Sequence, residues 1–192
     1  MASRGNRRSR RRRLLIPIVS FVVVALAVAW FFDEQATSTV IIVRHAEKAA
    51  KPADDPGLSP AGKLRAQWLA DMLEDIDVVE GLDAIYVSEA RRTRETAMPL
   101  ANRLDLPIHE MPAADVSGLV KRIEDEHKSD IVLIVGHSDT VPALIREFGG
   151  SKNVPEIEEH EYSNVYILSM PWSGKTKTLR LKYGNPYLDD ER

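Results

Sequence analysis

Two apolar runs constrain the fold of this chain more than any other feature. Residues 40–43 have the sequence Val-Ile-Ile-Val, and residues 131–135 have the sequence Ile-Val-Leu-Ile-Val. Runs of this length without polar alternation are typical of strands that are buried on both faces of a sheet. Such a sheet must be covered by helices on both sides, so the pattern predicts a layered α/β domain.

Helical and extended patterns alternate along the rest of the domain. A helix is predicted to start after Ser59, a good N-cap that is followed by Pro60, and further helices are predicted over residues 91–104, 114–127 and 141–148. Strands are predicted over residues 39–44, 83–87, 106–111, 130–135, 164–169 and 177–182. Pro99 predicts a kink or an early end of its helix. Together these elements predict a three-layer α/β/α domain with a largely parallel central sheet.

The N-terminal segment has a different composition. Residues 1–13 contain seven Arg and no acidic residue, and residues 14–32 form a 19-residue stretch without a charge. A helix of that length spans about 28 Å, which is close to the hydrocarbon core of a bilayer. We therefore predict a basic cytoplasmic tail (1–13), a transmembrane signal anchor (14–32), a linker (33–38) and a folded domain (39–192). A cleaved signal peptide is the alternative, because Ala25-Leu26-Ala27 resembles a cleavage site.

Charge and composition limit the location and the partners of the domain. The Arg cluster is expected to stay in the cytoplasm, which predicts an extracytoplasmic (periplasmic or extracellular) domain on a single-pass membrane protein. Because seven of the 26 Lys+Arg residues lie in the tail, residues 33–192 carry 19 Lys+Arg against 29 Asp+Glu, a net charge of −10. This balance argues against nucleic acid as a partner. The chain has no Cys, which excludes disulfides and thiolate catalysis.

Both apolar runs lead into a histidine. Arg44-His45 follows the first run, and Gly136-His137 follows the second. Another predicted strand leads into Ser88 and a segment that contains Arg91 and Arg92. Ligands of open α/β sheets bind at the carboxyl ends of the strands, so these side chains are expected to converge.

Two imidazoles and two or more guanidiniums suit a phosphoryl group. Guanidiniums stabilise the negative charge on the equatorial oxygens in phosphoryl transfer. An imidazole can attack phosphorus directly and form a phosphohistidine. No metal site and no cofactor are predicted, because the histidines lack partners at metal-ligand spacing.

Four segments of the chain resemble motifs of the histidine phosphatase superfamily, which includes the phosphoglycerate mutase-like enzymes. Val43-Arg44-His45-Ala46 is similar to the Arg-His-Gly signature, and Leu58-Ser59-Pro60-Ala61-Gly62 is similar to the segment that opens the first helix. Residues 88–97 resemble Ser-Pro-Leu-x-Arg-Thr-x-x-Thr-Ala, with Glu89-Ala90 in place of Pro-Leu. Residues 135–138, Val-Gly-His-Ser, resemble the segment with the second histidine. The order and spacing of all four support the resemblance, and with the predicted anchor the chain resembles a membrane-anchored, bacterial-type member.

The resemblance implies roles for individual residues. It makes His45 the nucleophile that becomes phosphorylated, Arg44 and Arg92 the groups that hold the phosphate oxygens, and His137 a donor that stabilises the transition state. The alignment favours Arg92 over Arg91, because Arg92 directly precedes Thr93.

The acid that protonates the leaving group is not fixed by the motifs. Family members often use a Glu or Asp beyond the Arg-Thr helix, and Glu110, Asp115 and Asp139 are candidates, with Asp115 favoured. Lys48 and Ser138 are predicted to bind substrate, although Lys48 is as well explained by an ion pair with a nearby acid. The acidic run over residues 156–161 is interpreted as a solvated loop.

The leading functional prediction is a phosphoric monoester hydrolase that works through His45 on a phosphorylated small molecule or a phosphoprotein. A non-catalytic module that binds phosphorylated ligands, anchored to the membrane, is the main alternative. A purely structural envelope protein is a third. The sequence leaves the substrate and the oligomeric state open.

Overall fold

A computed structural model describes residues 5–33, 37–74, 76 and 81–184, and in the first helix it describes side chains for residues 15–29. The chain divides into two compact units, Met1–Ala36 and Thr37–Arg192. The described residues of the second unit form a six-stranded sheet and four helices. Their bounds are β1 (Ser38–Arg44), α2 (Pro60–Leu73), β2 (Ala84–Val87), α3 (Arg91–Leu104), β3 (Ile108–Glu110), α4 (Val116–Glu126), β4 (Ile131–Gly136), α5 (Thr140–Glu147), β5 (Asn164–Met170) and β6 (Lys177–Lys182).

The described part of the first unit is one helix, α1 (Gly5–Asp33). Its described side chains, residues 15–29, are exposed. Among the residues that the structure describes, no helix combines the length and the apolar character needed to cross a membrane. The side chains of the predicted basic tail (1–13) and residues 34–36 of the predicted linker lie outside the described part.

The sheet is mixed but mostly parallel. Its strand order is β3-β2-β4-β1-β5-β6. The first four strands of this order run parallel to one another, β5 runs antiparallel to β1, and β6 runs antiparallel to β5. The prediction of a largely parallel α/β sheet is therefore confirmed, with the last two strands as an antiparallel addition.

Alternate residues of the central strands face opposite sides of the sheet, because side chains in a strand alternate. Val40 and Ile42 pack in one apolar cluster with residues of α4 and α5. Ile41 and Val43 pack in a second cluster with residues of α2 and α3. All four side chains are fully buried, so β1 lies between two helical layers, as its apolar run predicts.

Local sequence signals predict where α2 begins, but they predict the interior positions of the helices less well. The Ser59 side chain accepts a hydrogen bond from the Gly62 N–H at 3.1 Å, and Pro60 lies in the first turn. α3 continues through Pro99 to Leu104, so the early end that Pro99 allowed does not occur. Leu64 is 50% exposed although its spacing in the apolar pattern predicted a core position.

Candidate active site

A cleft of about 1070 Å³ opens beyond the carboxyl ends of β1 and β4 and the start of α3. The predicted site residues that line it are Arg44, His45, Lys48, Arg92, His137, Ser138 and Asp139. Asp115 and Glu110 are not among its lining residues. The structure thus brings together the side chains that the sequence assigned to phosphate binding and to nucleophilic attack.

The parallel pairing of β1 with β4 places the two histidines side by side. Arg44 is in register with Gly136, and the His45 N–H donates to the Gly136 carbonyl at 2.9 Å. The residue that directly follows β4 is His137. The ring centroids of His45 and His137 are 5.3 Å apart, with an angle of 64° between the ring planes.

His45 is held as a neutral imidazole with one defined tautomer. Its Nδ1 lies 2.7 Å from the Ala46 carbonyl oxygen, and since a carbonyl only accepts, Nδ1 carries the hydrogen and Nε2 carries the lone pair. Burial lowers the pKa of His45 to about 3 against the opposing effect of this hydrogen bond, and Arg44, His137 and Arg92 lower it further. The ring is only 4% exposed. Its Nε2 is therefore suited to attack an electrophile at neutral pH.

The backbone around His45 is fixed by two neighbouring helices. The Ala46 N–H donates to Thr96 Oγ1 of α3 at 3.0 Å. On the other side, a Cβ at Gly62 of α2 would lie 2.2 Å from the Glu47 carbonyl oxygen, so only glycine allows this approach. Glu47 does not line the cleft; its carboxylate accepts from Arg65 Nε and Nη2 at 2.9 and 2.8 Å.

His137 belongs to a chain of hydrogen bonds that starts in the cleft. Its Nδ1 lies 3.3 Å from Arg92 Nη2, which only donates, and its Nε2 lies 2.8 Å from Ser88 Oγ. Ser88 Oγ lies 3.0 Å from Thr93 Oγ1, whose hydroxyl donates to the Ala90 carbonyl at 2.7 Å. Burial and the charge of Arg92 lower the pKa of His137. The neutral ring thus carries its hydrogen on Nε2 and donates to Ser88.

Arg44 is anchored by the backbone of a loop. Its Nη1 donates to the carbonyls of Glu158, Glu159 and Glu161 at 2.7, 3.0 and 3.1 Å. The Tyr162 ring lies against the guanidinium, with 4.3 Å from Cζ to the ring centroid. The acidic run, interpreted from its sequence as a solvated loop, therefore supports the site through its carbonyls, and the Glu161 carboxylate accepts from the Glu158 N–H within the loop at 3.1 Å.

Two guanidinium N–H groups of the site have no protein acceptor. The Nε atoms of Arg44 and Arg92 are buried and form no hydrogen bond within the described residues. Arg44 as a whole is 6% exposed. Buried N–H donors are normally paired, so two unpaired guanidinium donors in one cleft indicate a site for an anion.

The other two cations near the site, Arg91 and Lys48, differ in whether they line the cleft. Arg91, which precedes Arg92, is exposed and donates to Glu95 at 2.6 Å, so it does not compete for the role of Arg92. Lys48 lines the cleft and pairs with Glu159 at 4.0 Å. Both explanations that the sequence offered for Lys48 are therefore compatible with its position.

The three candidate acids differ in their surroundings. Glu110 is ion-paired with Arg94. Asp115 caps α4, with Oδ1 accepting from the Gly118 N–H at 3.0 Å, and it lines a small separate cavity. Asp139 lines the cleft and accepts from the Thr140 N–H at 2.9 Å at the start of α5. Of the three, Asp139 alone reaches the cleft, although Asp115 was favoured from the sequence.

Sequence reasoning missed two kinds of supporting residue. Ser88 was part of a recognised motif but had no role, and its position directly after a predicted strand was the available signal. The loop carbonyls around Tyr162 could not be predicted as partners of Arg44, because every residue carries a backbone carbonyl. Tyr162 itself belongs to no recognised motif.

Residues 40–115 match the family model of the histidine phosphatase superfamily (branch 1). The matched segment covers 76 of the 192 residues of the chain. It includes Arg44, His45 and Arg92, whereas His137 lies beyond the match. No curated protein sequence matches the chain.

Several solved structures share the fold of the chain at low sequence identity. The protein histidine phosphatase SixA, solved with tungstate, superposes with a TM-score of 0.62 at 20% identity, over 75% of this chain and 96% of SixA. A protein named mycobacterial hydrolase 2 gives 0.62 at 14% identity, over 80% and 95% of the two chains. The mycobacterial glucosyl-3-phosphoglycerate phosphatase with inorganic phosphate gives 0.58 at 16% identity, over 77% and 97%.

Proposed function

We propose that this protein is a phosphatase that hydrolyses phosphate monoesters through a phosphohistidine on His45. The observation that carries the proposal is the buried His45 ring, whose Nδ1–H is bound to Ala46 and whose Nε2 lone pair is free for attack. The unpaired Nε donors of Arg44 and Arg92 supply the positive charge that a phosphoryl group needs.

The reaction then takes two displacements. In the first, Nε2 of His45 forms a bond to phosphorus as the bond between phosphorus and the leaving oxygen breaks. In the second, water attacks phosphorus, the bond to Nε2 breaks, and inorganic phosphate leaves. Arg44, Arg92 and His137 bind the phosphoryl oxygens in both steps. His137 donates from Nδ1 once that nitrogen has taken up a proton from solvent, and Arg92 Nη2, which donates to Nδ1 in the free site, then turns to a phosphoryl oxygen.

The placement of the acids favours good leaving groups. Asp115 and Glu110 are engaged outside the cleft, and Asp139 is engaged as a helix cap. An alkoxide needs a proton as it leaves, whereas an acidic phenol does not. We therefore expect aryl phosphates to be hydrolysed faster than alkyl phosphates.

The first test is hydrolysis of 4-nitrophenyl phosphate by the full chain, purified in mild detergent. We expect the wild type to release nitrophenol and His45→Ala to lose at least about 10³-fold in kcat, because no other group can take the place of the nucleophile. His160→Ala is the matched control, since His160 is exposed outside the cleft.

A His45→Ala variant as active as the wild type would exclude His45 as the nucleophile. Binding of inorganic phosphate without hydrolysis of any phosphate ester would support the alternative, a non-catalytic module for phosphorylated ligands.

We further propose that residues 14–32 anchor the protein in a membrane with the domain on the extracytoplasmic side. The seven Arg before an uncharged stretch of 19 residues support this location. In cells, the full chain should stay in the membrane pellet after carbonate extraction, and protease added to spheroplasts should digest the domain. Recovery of the full-length chain in the soluble fraction would exclude the anchor.

A further inference from the structure

Two carboxylates of the cleft, Glu89 and the candidate acid Asp139, do not bind phosphoryl oxygens. Glu89 and Asp139 both line the cleft whose inner surface carries Arg44, Arg92 and His137. A phosphate site alone gains nothing from negative charge at its entrance, because like charges repel. These two acids therefore point to a second feature of the ligand.

Glu89 is held in place over the cleft. Its carboxylate accepts a hydrogen bond from the Ala113 N–H at 2.8 Å, which ties the start of α3 to the segment before α4. Hydrogen bonds from its own backbone N–H and from Ala113 lower the pKa of Glu89, so the side chain is anionic. It also stands where the superfamily motif has Pro, which makes it a feature of this chain.

Asp139 follows His137 closely in the sequence, and its carboxylate is also held by a backbone hydrogen bond. Its carboxylate accepts from the Thr140 N–H. Both Asp139 and Glu89 are exposed and near enough to His137 to act on its titration. No Lys or Arg nitrogen within the described residues lies at ion-pairing distance from either carboxylate, whereas Glu159, the third acid of the cleft, is paired with Lys48.

The buried Arg44 indicates independently that the cleft takes a ligand. Its side chain is more than nine-tenths buried, yet its Nε has no acceptor among the described residues. The cleft thus has a cationic interior for an anion and two exposed carboxylates that lack an ion-pair partner among the described residues. A ligand that matches both must carry a negative and a positive group close together.

We propose that Glu89 and Asp139 select substrates that carry a positively charged group next to the phosphoryl group. This inference rests on the proposed phosphatase function and names its substrate class: phosphorylated amines, quaternary ammonium compounds or phosphorylated segments rich in Lys and Arg. Neutral phosphate esters of the same size bind less tightly, and polyanions are repelled.

Two ligands of nearly equal shape isolate the effect of the positive charge. Phosphocholine and 3,3-dimethylbutyl phosphate differ by the exchange of the quaternary nitrogen for carbon. We expect calorimetry on the full chain at low salt to give a phosphocholine Kd about fivefold lower, since each exposed charge pair contributes a factor of a few. The preference should shrink in 0.5 M salt, which screens such pairs.

The variants Glu89→Gln and Asp139→Asn keep the hydrogen-bonding shape of each side chain and remove its charge. Each should reduce the preference for phosphocholine, and the double variant should abolish it. Glu124→Gln is the matched control, because Glu124 is an exposed acid on α4 that does not line the cleft. It should leave the preference unchanged.

Equal binding of the two ligands to the wild type, or a preference that survives in the double variant, would overturn the inference. Hydrolysis of 4-nitrophenyl phosphate by the same preparation reports separately on the proposed function. A preparation that prefers phosphocholine but releases no nitrophenol would retain the charge selection and refute the phosphatase.

Discussion

At the scale of single residues, the surroundings of His45 suit it to the proposed role of nucleophile. A free histidine is a mixture of tautomers and is partly protonated near pH 6.5. In His45 the Ala46 carbonyl selects one tautomer, and burial together with Arg44 keeps the ring neutral. The reactive lone pair is thus available without a separate base.

The same burial makes the stability of the domain depend on pH. The pKa of His45 falls from 6.5 to about 3 on folding, so below pH 6.5 the unfolded chain binds a proton that the folded chain does not. The stabilising contribution is complete above pH 6.5 and declines as the pH falls toward 3, by up to about 1.4 kcal/mol per pH unit. Urea denaturation at pH 7, 6 and 5 should therefore show a shallower decline for His45→Gln than for the wild type.

His160→Gln serves as the control for this measurement, because His160 is exposed. Its pH profile should match that of the wild type. Parallel profiles for the wild type and His45→Gln would mean that His45 titrates normally in the folded protein.

At the scale of elements, the loop between α5 and β5 carries the support of Arg44. Three loop carbonyls bind Nη1, and the Tyr162 ring covers the guanidinium. These contacts hold the guanidinium, whose Nε has no acceptor among the described residues. The loop therefore orients a cation of the proposed phosphate site.

Tyr162→Leu should weaken this support while leaving the three carbonyl bonds in place. We expect the Ki of inorganic phosphate against 4-nitrophenyl phosphate hydrolysis to rise about fivefold, in line with the loss of one cation–π contact. Tyr162→Phe keeps the ring and should bind phosphate like the wild type. An unchanged Ki in Tyr162→Leu would show that the carbonyls alone orient Arg44.

The elements that could be predicted from the sequence were those with a local signal. Ser59 and Pro60 gave the start of α2, and the apolar runs gave β1 and β4. The antiparallel direction of β5 has no local signal, because it depends on which edge of the sheet is free when the strand is added. The apolar pattern does not predict that Leu64 is exposed. The neighbouring Arg65 is buried in its place, because it is paired with Glu47.

At the scale of the whole molecule, the site depends on contacts between distant parts of the sequence. Arg44 lies 114 residues from the first carbonyl that binds it, and His137 lies 49 residues from Ser88. Motif order predicted that Arg44, His45, Arg92 and His137 meet. It could not predict the partners of each group, because these follow from sheet order and loop path. Asp115 is the clearest case, because its spacing suits the predicted acid while its hydrogen bond to the Gly118 N–H could not be predicted from that spacing.

The register between β1 and β4 limits insertions and deletions in these two strands. Arg44 pairs with Gly136, and the residues that directly follow the two strands are the two histidines. Substitution of one apolar residue by another within either strand keeps this alignment. Insertion or deletion of one residue shifts the pairing by one position, turns each following side chain to the opposite face, and separates His45 from His137. Natural variants should therefore often differ in which apolar residues form these strands, but rarely in the length of the strands.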